Sequence, residues 1–192
     1  MEPPMHTPPE DPSPWVTRFA SLVPQGEVLD LACGTGRHAR LLAALGHPVL
    51  AVDRDAAALE KAAGRGIATL QIDLENGDAP QAKWSFEAGR FAGVVVTNYL
   101  HRPLFPQLFE SIAAGGMLIY ETFARGNERF GKPSNPAFLL AQGELLGRLR
   151  GDVPDYWHIV AFEDGYIEQP RPAMVQRICA VKGSATPGFR LS

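Results

Sequence analysis

The sequence predicts an α/β fold, a doubly wound and mostly parallel sheet closed by an antiparallel C-terminal hairpin. Three observations carry that prediction. Apolar runs at 28–31, 49–53, 67–74, 91–98 and 117–123 alternate with helix-patterned stretches, as parallel strands joined by right-handed crossovers do. Residues 28–39 run an apolar strand straight into Gly34-Thr35-Gly36 and then a helix, a strand-turn-helix unit suited to a nucleotide-type cofactor. Strand-like runs at 156–162 and 173–181 have only residues 163–172 between them, too few for a helix, so they form a hairpin.

The elements follow in chain order. Pro3, Pro4, Pro8, Pro9, Pro12 and Pro14 deny backbone donors and helical angles to their neighbours, so residues 1–14 are expected to be a disordered Pro-rich arm. Order is expected from Trp15, with Ser13 capping a short helix that has Pro14 at its first position and Val16, Phe19 and Ala20 inward. The helix after Gly36 places Leu41, Leu42 and Leu45 at core spacing and stops at Gly46. A second helix starts from Asp55. Residues 15–182 are read as one domain and 183–192 as a loose tail, because 192 residues at 45% hydrophobic composition bury a single core.

Composition removes several classes of function. A net charge of -3 with interspersed signs gives no nucleic-acid track, and no apolar run reaches the length of a membrane span. The two cysteines, Cys33 and Cys179, make neither a disulfide framework nor a metal motif, and no His or carboxylate cluster at metal spacing accompanies His38 or His47. Those two histidines read as surface or packing groups. The expected setting is cytoplasmic, with no metal, nucleic acid or membrane partner, and the oligomeric state is not legible.

In an open parallel sheet, ligands bind outside the carboxyl ends of the strands. Here those ends carry Asp30, Asp53, Asp73 and Asn98. Asp53 stands at the end of the second strand, where an acidic side chain accepts from ribose hydroxyls, and Gly34 and Gly36 let a ligand approach the backbone. The same turn also fits the Gly-x-Gly-x-x-Ala form of a dinucleotide fingerprint, which keeps NAD as an alternative for that motif. Against NAD stand Asp30, whose charge would crowd a pyrophosphate, and the lack of a Tyr-x-x-x-Lys pair.

From Trp15 to Lys182 the chain resembles the class I S-adenosylmethionine-dependent methyltransferases. Four motifs carry the resemblance: Asp-Leu-Ala-Cys-Gly-Thr-Gly at 30–36, with Ala32 where the family more often has glycine; Val-Leu-Ala-Val-Asp-Arg at 49–54; Ile-Asp-Leu at 72–74; and Val-Val-Val-Thr-Asn at 94–98. The resemblance implies a seven-stranded, Rossmann-like sheet with its last strand antiparallel, and S-adenosylmethionine as cofactor, leaving as S-adenosylhomocysteine. By the same resemblance Asp30 takes the ammonium, and the backbone from Ala32 through Gly34 and Gly36 approaches the methionine portion. Asp53 takes the ribose, Arg54 covers the adenine face, Asp73 and the Leu74 amide meet the adenine edge, and Asn98 holds the methionyl end through its carbonyl. Residues 135–146, Asn-Pro-Ala-Phe-Leu-Leu-Ala-Gln-Gly-Glu-Leu-Leu, resemble the loop and helix start of the branch that includes the tellurite-resistance methyltransferases.

On the acceptor side the sequence offers His101 and Tyr120 as candidate catalytic residues, each with a plainer alternative: a loop histidine capping the next helix, and a core aromatic. Trp84 and Phe86 read as a loop anchor. Arg18 is either a partner for the methionine carboxylate or half of a surface salt bridge. Residues 125–135 read as a substrate lid or a solvated connection. Arg102, Arg125, Arg129 and Lys132 are expected to give the mouth a positive field for a small-molecule or small-anion acceptor. A non-catalytic S-adenosylmethionine-binding sensor or partner subunit is the competing reading.

Overall fold

A computed structural model of the chain describes residues 11–75, 84–151 and 156–183. Its seven strands are β1 (Val28–Leu31), β2 (Val49–Asp53), β3 (Ile67–Gln71), β4 (Phe91–Thr97), β5 (Ile112–Phe123), β6 (Trp157–Ile167) and β7 (Ala173–Lys182). They form one sheet in the order β3-β2-β1-β4-β5-β7-β6, with β7 antiparallel to both of its neighbours and the other pairs parallel. The order reverses at β1 and β4, the position where an open sheet makes its ligand crevice.

Helices α1 (Pro14–Phe19), α2 (Arg37–Ala44) and α3 (Ala56–Ala62) share one apolar layer with Val28, Val49, Ala51 and Val95. The opposite face carries Leu29, Leu31, Val94 and Val96 against α4 (Phe105–Glu110) and α5 (Glu144–Gly151). Every residue of β1 and β4 is buried, as strands covered on both faces must be. Trp84 and Phe86 pack against that second layer, Phe86 edge-on to Phe91 at 5.4 Å, which makes them the anchor the sequence suggested. No described helix is long and apolar enough to cross a membrane.

Four expectations need correction. β3 stops at Gln71 rather than running to Leu74, because the Ile72 amide reaches back to the Asp53 carbonyl (3.0 Å), where β2 itself ends. β5 starts at Ile112, five residues early, and reaches its regular pairing with β4 through a bulge. The inward face of α2 is His38, Ala39 and Leu42, while Leu45 is 40% exposed; hydrophobic spacing alone missed the histidine, whose ring is satisfied by two hydrogen bonds. Order begins before Trp15, since Asp11 and Ser13 are bonded into the fold. Of the expected arm, residues 1–10 lie outside the described residues. So do 184–192 of the expected tail, whose first residue, Gly183, pairs with Tyr156 through its amide (2.6 Å).

Candidate functional site

The turn after β1 is built from left-handed backbone. Ala32 (φ 53°), Gly34 (φ 53°) and Gly36 (φ 80°) all take positive φ, so the family's preference for glycine at position 32 has a steric cause. The two glycines differ in purpose. A β-carbon at Gly36 would stand 2.6 Å from the Ala62 β-carbon, so this glycine lets α2 and α3 close-pack, whereas nothing lies within 4 Å of one at Gly34. The Gly34 amide donates to Asp53 Oδ2 (2.8 Å), and the Asp55 amide donates to Oδ1 (3.0 Å). Asp53 thus fixes the turn to the end of β2, and its carboxylate keeps lone pairs for further donors.

Beside this turn lies a cavity of about 190 Å3, lined among others by Ala32, Asp53, Arg54, Asp73, Leu74 and Tyr99. Five sequence-predicted residues from three strand ends therefore meet in one space. Ile72, Glu75 and Tyr99 complete its wall and were not singled out for it. Tyr99 arrives there because Asn98 also takes positive φ (55°), turning the chain out of β4. Burial pushes the Tyr99 hydroxyl above its ordinary range, with the Glu75 and Asp73 carboxylates adding to the effect. Asn98 is exposed at that bend, its amide bonded to the Glu121 carbonyl (2.9 Å).

Asp30 lies outside the lining of that cavity, on the other side of the turn. It is 1% exposed, and its Oδ2 has no hydrogen-bond partner. Burial raises its carboxyl to about 7 against the opposing pull of the Ala39 backbone and Arg37. A buried carboxylate oxygen without a donor is costly unless a ligand supplies one.

Around the start of α2 the N-terminal segment closes in. The Ser13 amide donates to His38 Nε2 (3.0 Å), the Ser13 hydroxyl to Glu121 Oε1 (2.7 Å), and Arg37 Nη1 to the Asp11 carbonyl (3.1 Å). His38 Nδ1 faces the Thr97 hydroxyl at 3.4 Å. Because Nε2 accepts, the ring is neutral, and burial with Arg37 beside it lowers its pKa to about 3. Glu121 is also paired with Arg177 (3.0 Å), which holds Glu163 (2.8 Å) one strand further on.

The acceptor-side expectations fare differently. Tyr120 is a core residue: it is 1% exposed, and its hydroxyl, pushed up by burial, donates to the Tyr99 carbonyl (2.7 Å). It cannot serve as a catalytic group there, but it pins the segment that carries Tyr99. His101 precedes a 3-10 turn at Arg102–Leu104, with a buried Nε2 that has no partner. Arg102 is no mouth cation, since its guanidinium grips Glu144 (2.7 and 2.8 Å) and the Ala137 and Leu139 carbonyls. Arg18 makes the salt bridge, with Glu163 at 3.7 Å. Residues 125–135 are tied down by Asn127, which donates to the Pro133 carbonyl (3.0 Å) and accepts from the Met174 amide (3.2 Å), while Arg125, Arg129 and Lys132 stay exposed. Among the described residues no group of three His, Cys, Asp or Glu could hold a metal ion.

Residues 28–115, from β1 through the first part of β5, match the methyltransferase domain family. The chain thus carries a methyltransferase domain, and the sheet order with antiparallel β7 is the class I, Rossmann-like form of it. Among solved structures it is similar to TehB from Haemophilus influenzae (19% identity, TM-score 0.69, over 87% of this chain), of which it spans 61%. An S-adenosylmethionine-dependent methyltransferase from Mesorhizobium loti matches at 16% identity and TM-score 0.65, over 87% of this chain and 96% of that one. Geranyl diphosphate C-methyltransferase from Streptomyces coelicolor matches at 14% and 0.61, over 88% and 78%. At these identities the likeness is one of fold. No curated protein sequence matches the chain.

Proposed function

We propose that this chain is a cytoplasmic S-adenosylmethionine-dependent methyltransferase acting on a small-molecule or small-anion acceptor. The observation that carries the reading is the single cavity shared by Asp53, Arg54, Asp73, Leu74 and Tyr99 at the carboxyl ends of β1 to β4. Asp53 accepts from the ribose hydroxyls, Asp73 and the Leu74 amide meet the adenine edge, and Arg54 and Tyr99 bound the base. The unpartnered Oδ2 of Asp30 fits the ammonium of the amino-acid end, and Ala32, Gly34 and Asn98 present backbone to the same end. Gly36 serves that site by keeping α2 close to α3. The similarly folded geranyl diphosphate C-methyltransferase was solved with S-adenosylhomocysteine, which supports the cofactor class.

The cofactor supplies a sulfonium methyl already activated by its charge. The protein's task is therefore alignment and exclusion of water, with a base needed only if the acceptor loses a proton. His101, with its free ring nitrogen beside the bend at Asn98, is the residue proposed for that proton. Calorimetry is expected to show S-adenosylhomocysteine binding and no NADH binding. Asp53→Ala should weaken the former by about 1.5–3 kcal/mol, as for a charged hydrogen-bond acceptor. Unchanged binding by that variant overturns the ribose assignment, and NADH binding overturns the cofactor class.

A further inference from the structure

Two oppositely charged groups flank the turn after β1, and neither is satisfied. Asp30 has a fully buried oxygen with no donor. Arg37, half-buried at the first position of α2, makes one hydrogen bond, to the Asp11 carbonyl, and has no carboxylate within 4.0 Å among the described residues. They are close enough for each to stabilise the other's charge, yet they make no salt bridge. Glu121 also acts on Arg37 from the end of β5 without reaching it. A guanidinium has five N–H donors in a planar fork, and removing most of them from water without partners is expensive. The arrangement is the complement of a zwitterion: an ammonium for Asp30, a carboxylate for Arg37.

Resting on the cofactor reading above, we propose that Arg37 receives the carboxylate of the cofactor's amino-acid end and so sets the requirement for a complete methionine or homocysteine tail. The other cations are committed or misplaced for this task. Arg18 holds Glu163, Arg102 is filled by Glu144 and two carbonyls, Arg177 sits between two carboxylates, and Arg54 borders the adenosine cavity. Arg37 also ties the bound tail to the N-terminal segment, because the same guanidinium holds the Asp11 carbonyl.

The test uses the full chain and two ligands: S-adenosylhomocysteine, and its decarboxylated analogue, which keeps the adenosine, sulfur and ammonium. Calorimetry should show the wild-type chain preferring S-adenosylhomocysteine by ~10-fold or more, the scale of a charge-assisted bidentate contact. Arg37→Gln keeps donors for the Asp11 carbonyl and removes the charge. It should lose most of that preference, while affinity for the analogue changes by less than about twofold. Arg37→Met should abolish the preference. A preference that survives in Arg37→Gln overturns the proposal, and so does an equal loss of affinity for both ligands. Failure of the wild-type chain to bind either ligand removes the cofactor reading itself, a different outcome from losing Arg37's part in it.

Discussion

Ala32 shows at one residue what the sequence motif leaves unexplained. Its backbone is left-handed (φ 53°), a conformation that costs a β-carbon-bearing residue ~1–2 kcal/mol, partly offset by the greater unfolded-state freedom of glycine. Ala32→Gly is therefore expected to stabilise the chain by about 0.5–1 kcal/mol, seen as a higher urea midpoint at unchanged slope; a lower midpoint refutes the strain argument. Other residues were legible to different degrees. Asp30, Asp53 and Asp73 could be read because each follows an apolar run that ends in a turn. Tyr120 misled for the same reason: it stands near a strand end, but α4 covers that face and Phe105 lies against its ring at 6.0 Å. Arg37 and Tyr99 gave no signal, because where they point depends on positive φ at Gly36 and Asn98 and not on spacing.

At the scale of elements, the N-terminal segment departs most from expectation. Proline density suggested an arm, yet Ser13 accepts from the Trp15 amide (3.2 Å) as a helix cap while its hydroxyl donates to Glu121. Ser13→Ala removes both contacts and should cost about 2 kcal/mol in chemical denaturation. Ser13→Asp is the sharper test. Aspartate caps helices as well as serine does, but here it would set one carboxylate against another, so it should be no more stable than the alanine variant. A rescue by aspartate would mean that the cap, and not the Glu121 contact, holds the segment. Such long-range partners are what a linear reading cannot supply: Arg102 reads as a surface cation until Glu144, far along the chain, is seen to fill it.

Across the whole molecule, two buried groups titrate in opposite senses. His38 is held neutral with its pKa lowered to about 3 against 6.5 unfolded, so the unfolded chain binds more protons between those values and stability falls as pH drops through that window. Asp30 is raised to about 7 against 3.8. The folded chain binds more protons there, so its contribution is fullest below 3.8 and is lost as pH rises to 7. Between about pH 4 and 6.5 the two slopes cancel, and these sites give the wild-type chain a flat profile. Asp30→Asn should expose the histidine slope, with stability falling towards acid by up to about 1.4 kcal/mol per pH unit. His38→Gln should expose the reverse. Matching slopes in the two variants, measured by urea unfolding across pH, would contradict the assignment. The sheet itself was legible at this scale because β-α alternation and the closing hairpin survive in the bare sequence, while the exact strand ends depend on what each neighbouring strand offers for pairing.

The contact between α1 and the last strand has a bearing on synthesis. Trp15 Nε1 donates to the Ile178 carbonyl (3.4 Å), and the Arg177 guanidinium lies 5.1 Å from the Trp15 ring centre, joining residues more than 160 positions apart. On the ribosome the first helix is made long before its partner, and closing so wide a loop is among the slower steps a chain takes. The segment that holds Arg37 and His38 thus has nothing to dock on until β7 has left the exit tunnel. A growing chain can pair its first five strands early, but it finishes the end of the site nearest Asp30 only when translation is almost complete.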